Sequence, residues 1–179
     1  VGFAAGVNAG LVQTGNFGPR AATINLAANT FINMTNTDAN IGGLSGSGSV
    51  INLNTTGATP TARTLNFGAN NADTSFSGLF ARINDANLVS NQFNKIGTGI
   101  FTFSGTGTTL GVNATVGMQV SQGTWLYTGN GATVFSNSII LPTATLTLDN
   151  SGTNVDNRLG GAVQLGTTAT ASLMTISGG

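Results

Sequence analysis

Residues that could carry out chemistry are scarce in this chain. The 179 residues include five acidic and five basic side chains, and no histidine or cysteine. A Ser-His-Asp triad, a thiol nucleophile and the common zinc sites are therefore excluded. Asp73, Arg82 and Asp85 are the one acid–base–acid group close together in sequence, and polysaccharide-cleaving enzymes place paired carboxylates along a groove. A solvated loop is the simpler interpretation of these three charges, so we predict no catalytic residue.

A second group of polar side chains runs from Asp149 to Asp156 and offers oxygen ligands of the kind that Ca²⁺ prefers. The spacing fits neither the EF-hand loop nor the Gly-Gly-x-Gly-x-Asp repeat. We therefore predict a turn rich in Asn and Asp here, with no metal site and no cofactor.

Trp125 and Tyr127 allow two interpretations, because strand alternation puts both on the same face. If Leu126 points inward, the two aromatic rings form an exposed, ligand-facing surface that could stack on sugars. If Leu126 points outward, both rings fill the core. The second interpretation is favoured because Phe101 and Phe103 would then stack against them from a neighbouring turn of chain.

The composition favours a folded all-β protein with an uncharged surface. Only 6% of residues are charged, against roughly 25% in ordinary soluble domains. Hydrophobic residues make up 40%, which argues against disorder, while good helix formers such as Glu and Lys are nearly absent. Zero net charge argues against a nucleic-acid partner and permits self-association. No apolar run reaches the ~20 residues of a membrane helix, so we expect no membrane insertion.

Short alternating strands recur along the whole chain. Apolar residues two positions apart, mostly separated by Asn, Thr or Gln, indicate strands with one buried face. These pairs are Ile24/Leu26, Ile32/Met34, Ile51/Leu53, Leu65/Phe67, Phe101/Phe103, Met118/Val120, Leu146/Leu148, Val163/Leu165 and Met174/Ile176. A sandwich or closed barrel would show regular hairpin signals such as Asn-Gly, which occurs once, at Asn130-Gly131.

The pattern therefore predicts an all-β fold, a parallel β-helix or β-solenoid, in one rod-like domain spanning residues 1–179. We expect coils of roughly 20–25 residues, with ladders of Asn, Ser and Thr stacked from coil to coil. Residues 1–22 are predicted to form an irregular capping or linking segment. Residues 35–48 are predicted to turn, 54–63 to form a loop, and 81–94 to form a longer excursion or a helical turn.

The stretch from Lys95 to Tyr127 carries the most specific pattern in the chain. Its two parts read Lys95-Ile96-Gly97-Thr98-Gly99-Ile100-Phe101-Thr102-Phe103-Ser104-Gly105 and Val120-Ser121-Gln122-Gly123-Thr124-Trp125-Leu126. This resembles the autotransporter-associated β-strand repeat, also called the passenger-associated transport repeat. The matching positions are Lys95, Gly97, Gly99, Phe101, Phe103, Ser104, Gly105, Gly123, Thr124 and Leu126. Trp125 departs from the family pattern, and the usual aromatic-Thr-Gly-Gly turn is missing.

The resemblance implies a right-handed parallel β-helix in a large secreted or surface-displayed bacterial protein, with a role in export and in the stalk rather than in catalysis. We therefore expect a non-enzymatic structural protein outside the cell or on the bacterial outer surface, either a passenger stalk or a self-stacking fibre subunit. Its partners would be copies of itself or neighbouring coils of a longer chain. The alternative is an adhesin module that binds glycan or host protein, and a polysaccharide-active enzyme is the weakest of the three hypotheses.

Overall fold

The computed structural model describes residues 10–13, 21–34, 38–53, 64–83, 91–110, 116–133, 137–166 and 171–178. The described residues form nineteen strands and no helix, and hence no helix long and apolar enough to cross a membrane. Strand pairs are parallel throughout, and strands distant in sequence are neighbours. The predicted all-β parallel solenoid is therefore confirmed, while its right-handed sense stays a prediction.

Three parallel sheets run along the solenoid, and between residues 23 and 149 each coil contributes one strand to each sheet in turn. Sheet A contains β1 (Gly10–Gln13), β3 (Phe31–Met34), β6 (Ser49–Leu53), β9 (Leu79–Ile83), β12 (Thr106–Leu110) and β15 (Ala132–Thr133). Sheet B contains β2 (Thr23–Leu26), β5 (Gly43–Gly46), β8 (Thr74–Phe76), β11 (Ile100–Phe103), β14 (Thr124–Tyr127), β17 (Thr145–Asp149) and β19 (Leu173–Ser177). Sheet C contains β4 (Ala39–Ile41), β7 (Thr64–Phe67), β10 (Asn91–Lys95), β13 (Val116–Val120), β16 (Asn137–Ile140) and β18 (Ala162–Leu165).

The length of a coil varies although the strand register is kept. Phe31 pairs with Ser49, eighteen residues later, whereas Ser49 pairs with Leu79, thirty residues later. Phe101 pairs with Trp125, twenty-four residues later. The expected 20–25 residues therefore lie within the observed range but do not cover it.

All nine apolar pairs predicted from the sequence lie in strands. Among their described side chains, Leu65, Phe101, Phe103 and Met118 are fully buried in one hydrophobic core. Burial falls at the last strands of sheets B and C, where Ile176 is 65% exposed. The interior is thus filled along most of the solenoid and opens at its C-terminal end.

The prediction that residues 35–48 turn is wrong, because β4 and β5 lie within them. Gly43 and Leu44 are buried there. A Cβ atom at Gly43 would approach Thr23 Oγ1 to 2.7 Å, so glycine here permits close coil packing rather than a turn. The predicted loop at 54–63 lies outside the described residues.

Two other segments are partly described. Within the predicted irregular segment 1–22, Gly10–Gln13 forms a regular strand that pairs with Phe31–Met34. Within 81–94, residues 81–83 belong to β9 and 91–94 to β10. The predicted excursion or helical turn falls on residues 84–90, which lie outside the described ranges.

Candidate functional site

The motif at 95–127 covers one and a half coils of the solenoid. Lys95 ends β10, Gly97 and Gly99 lie in the corner that follows, and β11 holds Phe101 and Phe103. The second part runs from the end of β13 through a further corner into β14, which contains Thr124 and Leu126. The motif therefore specifies two stacked copies of the corner between sheets C and B, hereafter the CB corner.

Lys95 closes the CB corner from the inside. Its side chain is 1% exposed, and its Nζ donates to the carbonyl oxygens of Ile96 at 2.8 Å, Gly97 at 2.7 Å and Gln122 at 3.3 Å. An ammonium group has three N–H donors, and each has an acceptor here. Because Gln122 belongs to the following coil, Lys95 links two adjacent corners.

Burial is the main influence on the ionisation of Lys95. Removal of the ammonium from water lowers its pKa from 10.5 to about 8, and the nearby carboxylate of Asp73 partly opposes this by raising the pKa. Asp73 is exposed, and its Oδ1 accepts a hydrogen bond from the backbone N–H of Ile100 at 2.8 Å. Asp73 therefore caps the next strand of sheet B and is not an ion-pair partner in contact with Lys95.

The motif glycines are required by close backbone contact between coils. Gly97 has φ +74°, and a Cβ atom there would overlap the carbonyl oxygen of Gly68 one coil earlier. At the corner between sheets B and A, a Cβ atom at Gly105 would overlap the carbonyl oxygen of Gly78, which accepts a hydrogen bond from Thr106 N at 3.1 Å. Stacked corners thus leave no room for a side chain at these two positions.

Trp125 and Tyr127 lie in the core, and Leu126 is half-buried on the outer face. Trp125 meets Phe101 edge-on with ring centroids 4.9 Å apart, and Tyr127 meets Phe103 at 5.6 Å. Both contacts join residues paired in register between β11 and β14. The structure therefore agrees with the interior interpretation and corrects the ligand-facing one, since neither ring reaches the surface.

The two buried rings differ in how their polar atoms are satisfied. The hydroxyl of Tyr127 lies 2.9 Å from Thr133 Oγ1 and 3.3 Å from Met118 Sδ. Burial raises the pKa of this hydroxyl well above its ordinary value. Trp125 Nε1, by contrast, is the one buried side-chain polar atom without a hydrogen-bond partner in the described part of the chain.

An amide ladder runs along the outer face of sheet C. Asn94 Nδ2 donates to Asn66 Oδ1 at 2.7 Å, and Asn66 Nδ2 donates to Asn40 Oδ1 at 3.0 Å. These three residues are in register on successive strands. Ser121 Oγ extends the ladder by donating to Asn94 Oδ1 at 2.7 Å. The predicted polar ladder from coil to coil is thus confirmed.

The acid–base–acid group considered in the sequence is only partly described by the structure. Asp73 precedes a strand of sheet B, whereas Arg82 lies in β9 of sheet A. Asp85 lies outside the described residues. The described residues hold no group of three or more acidic, histidine or cysteine side chains that could bind a metal ion.

The turn at 149–156 is organised by Arg158, which sequence reasoning missed. Asp149 Oδ1 accepts a hydrogen bond from the backbone N–H of Ser151 at 2.9 Å, the pattern of an Asx turn. Arg158 is 3% exposed, and its guanidinium donates to the carbonyl oxygens of Gly129 at 2.8 Å and Gly131 at 2.6 Å. These two carbonyl oxygens lie one coil away in space and almost thirty residues away in sequence, so no local sequence pattern predicts the contact.

Arg158 makes further contacts within its own turn. Its Nη2 also donates to the carbonyl oxygens of Asp149 at 3.1 Å and Thr153 at 2.9 Å, and its Nε donates to Asn150 Oδ1. Burial lowers its pKa, and Asp149 opposes this. The predicted Asn- and Asp-rich turn is present, and its polar groups are engaged with one another and with a buried cation.

The C-terminal end of the solenoid carries an open cavity of about 440 Å³. Its apolar lining continues the core, through Leu148, Val163, Met174 and Ile176, and its rim is formed by polar residues of the 149–158 turn. Of the residues that the structure describes, β18 and β19 are the last strands in their sheets.

No family model, no curated protein and no solved structure matches this chain.

Proposed function

We propose that this chain is a non-enzymatic structural β-solenoid that serves as a stalk or a self-associating rod outside the bacterial cell. The observation that carries the proposal is how the distinctive residues are used. Lys95, the motif glycines and the amide ladder join one coil to the next. The side chains of Lys95 and of the ladder asparagines form their hydrogen bonds with other residues of the solenoid, as expected if their role is to stack the coils.

The proposed location rests on the resemblance of residues 95–127 to the autotransporter-associated repeat and on the uncharged, cysteine-free composition. A glycan-binding adhesin remains the alternative function, but its sequence argument depended on exposed aromatic rings. Trp125 and Tyr127 are both buried, so this alternative now lacks the surface that motivated it.

Antibody labelling of the source cells tests the proposal. An antibody raised against the folded chain should label intact cells, whereas an antibody against a cytoplasmic enzyme should label them only after permeabilisation. Labelling of the chain only after permeabilisation would contradict the proposed location. A measurable hydrolase or lyase activity of the purified chain on polysaccharides, lost in Asp73→Asn, would contradict the non-enzymatic role.

A further inference from the structure

Asn130-Gly131 is the one Asn-Gly sequence in the chain, and stacking between coils fixes its second residue. Asn130 is exposed in the corner between β14 and β15, which has four residues where the corner between β11 and β12 has two. After this longer turn the register is restored, since Thr106 pairs with Ala132. A Cβ atom at Gly131 would overlap the carbonyl oxygen of Phe103. The stacked coils therefore require glycine directly after Asn130.

An asparagine followed by glycine is prone to lose its side-chain amide, because glycine has no side chain to hinder the reaction. The backbone nitrogen of Gly131 loses its proton and attacks Cγ of Asn130. The new N–Cγ bond closes a succinimide ring, and the side-chain nitrogen leaves as ammonia. Water then opens the ring, giving aspartate if the N–Cγ bond breaks and isoaspartate if the bond from that nitrogen to the main-chain carbonyl carbon breaks. Water is the only other reactant.

The folded corner restrains the backbone of Gly131 on both sides. Its N–H donates to the carbonyl oxygen of Thr128 at 2.9 Å, so the proton that must leave is held in a hydrogen bond. The buried guanidinium of Arg158 donates to the carbonyl oxygen of Gly131 at 2.6 Å and to that of Gly129 at 2.8 Å. Arg158 therefore binds the carbonyl groups on either side of Asn130. Removal of the proton breaks the first hydrogen bond, and the attack on Cγ moves the backbone that Arg158 holds.

We propose that Asn130 is a deamidation site that the stacked solenoid keeps closed through Arg158 and that reacts when this corner opens. Such local openings need less free energy than global unfolding. Isoaspartate places an additional CH2 group in the main chain between Asn130 and Gly131. Because the flanking strands β14 and β15 stay paired with β11 and β12, the lengthened corner displaces Gly131 from Arg158 and cannot close again. The modification therefore leaves a permanent mark of opening, and it does not depend on the proposed function.

The deamidation rates of the unmodified chain in its folded and unfolded states test whether the corner is closed. The chain is incubated in mildly alkaline buffer with and without urea, and mass spectrometry of the peptide that contains Asn130 measures the loss of the amide. The folded chain should react roughly tenfold or more slowly than the unfolded chain, because only molecules with an open corner react. Equal rates in the two states would overturn the inference, and so would an unfolded chain that keeps its amide.

Arg158→Met tests the part played by Arg158, and Lys95→Met is the matched control. Each variant removes a buried cation that donates to carbonyl oxygens, but Lys95 lies in the CB corner. Folded Arg158→Met should deamidate at Asn130 roughly tenfold or more faster than the unmodified chain, whereas Lys95→Met should react at the rate of the unmodified chain. No acceleration in Arg158→Met, or equal acceleration in both variants, would overturn the role of Arg158. If Arg158→Met does not fold, Arg158→Lys, which keeps the charge but lacks the fork of the guanidinium, gives the same comparison with the same expected result.

The two products test the irreversible step. Each carries one carboxylate more than the unmodified chain, whose net charge is zero, so ion exchange separates both from the starting material. Enzymatic methylation of isoaspartate then tells the two products apart. The aspartate product should unfold at the same urea concentration as the unmodified chain, whereas the isoaspartate product should unfold at a lower one. Identical unfolding of all three would show that isoaspartate lets the corner close, and would overturn the permanent mark.

Discussion

Lys95 changes its protonation in a pH range in which few other groups of the chain do. It is the one lysine in the sequence, and there is no histidine or cysteine. Burial lowers its pKa to about 8, while an unfolded chain restores the ordinary value of 10.5. Between these two values the unfolded state binds more protons than the folded state, so the free energy of unfolding must rise with pH.

The size of the rise follows from the pKa difference. Each unit of pKa difference corresponds to about 1.4 kcal/mol, which gives a limit of about 3 kcal/mol across the whole interval. The effect of Lys95 can be measured alone only up to about pH 10, because Tyr127 begins to ionise in the unfolded chain near that pH. Because burial raises the pKa of Tyr127 in the folded state, stability must fall above that point. We therefore expect a gain of about 2 kcal/mol from pH 8 to pH 10, followed by a decline.

Urea unfolding at a series of pH values measures this directly, with fluorescence of the single tryptophan as the probe. Trp125 is fully buried, so unfolding should change its emission strongly. In Lys95→Met the rise from pH 8 to pH 10 should disappear, because Tyr127, which begins to ionise in the unfolded chain near pH 10, changes stability in the opposite direction. In Tyr127→Phe the rise should remain, and the decline above pH 10 should be lost.

Two results would refute this reasoning. If the stability of the unmodified chain stays flat or falls from pH 8 to pH 10, the three carbonyl acceptors outweigh desolvation, and the ammonium keeps an ordinary pKa. If Lys95→Met shows the same rise as the unmodified chain, a different group is responsible.

The remaining predictions concern packing and the amide ladder, and urea unfolding followed by circular dichroism tests all three. Gly105→Ala should lower the free energy of unfolding by about 1–3 kcal/mol through backbone overlap, whereas Gly152→Ala, whose Cβ would meet nothing within 4 Å, should be neutral or slightly stabilising. Asn66→Asp should lower the free energy of unfolding by about 1–2 kcal/mol at pH 7, because a carboxylate cannot donate along the ladder. Near pH 3 the acid is protonated and can donate, so part of this stability should be regained. Asn130 is exposed, and the control Asn130→Asp should change the free energy of unfolding little. Trp125→Phe should lower the free energy of unfolding by less than about 1.5 kcal/mol, since removal of an unpaired buried N–H offsets the lost ring contacts. A loss near the ~3–5 kcal/mol of a truncation to alanine would show that the indole nitrogen has a hydrogen-bond partner.

Sequence periodicity was sufficient to predict the strands, because alternation with one buried face is a local property. It predicted the apolar pair Phe101/Phe103, which lies in β11, and polar ladders of the kind that Asn66 forms on sheet C. It is wrong at residues 39–46, where the glycines predict a turn and the structure has two strands. Gly43 and Gly46 instead lie where a side chain would collide with the preceding coil, and that contact depends on a partner about twenty residues away.

The orientation of β14 shows a second limit of local patterns. Alternation alone allows Trp125 and Tyr127 to face either way, and the choice is made by register with Phe101 and Phe103. These four aromatic rings are in contact in the core, and the contacts between the two strands would be lost if Trp125 and Tyr127 faced outward. The identity of the inward face is thus a property of two neighbouring coils together.

The two buried cations, Lys95 and Arg158, have the same structural role, which is to donate hydrogen bonds to main-chain carbonyl oxygens at corners of the solenoid. A tight corner turns the chain with few residues, so several of its carbonyl oxygens point inward without a backbone donor. Lys95 supplies donors to such oxygens in the CB corner, and Arg158 supplies them to Gly129, Gly131 and the 149–153 turn. Neither cation makes its hydrogen bonds to a carboxylate in the described residues, because main-chain carbonyls and, for Arg158, the amide oxygen of Asn150 accept them. This explains how a chain with so few charges can bury two of them. It also explains why a lysine begins the stretch 95–127, in which the residues of the two corners are mostly small or apolar.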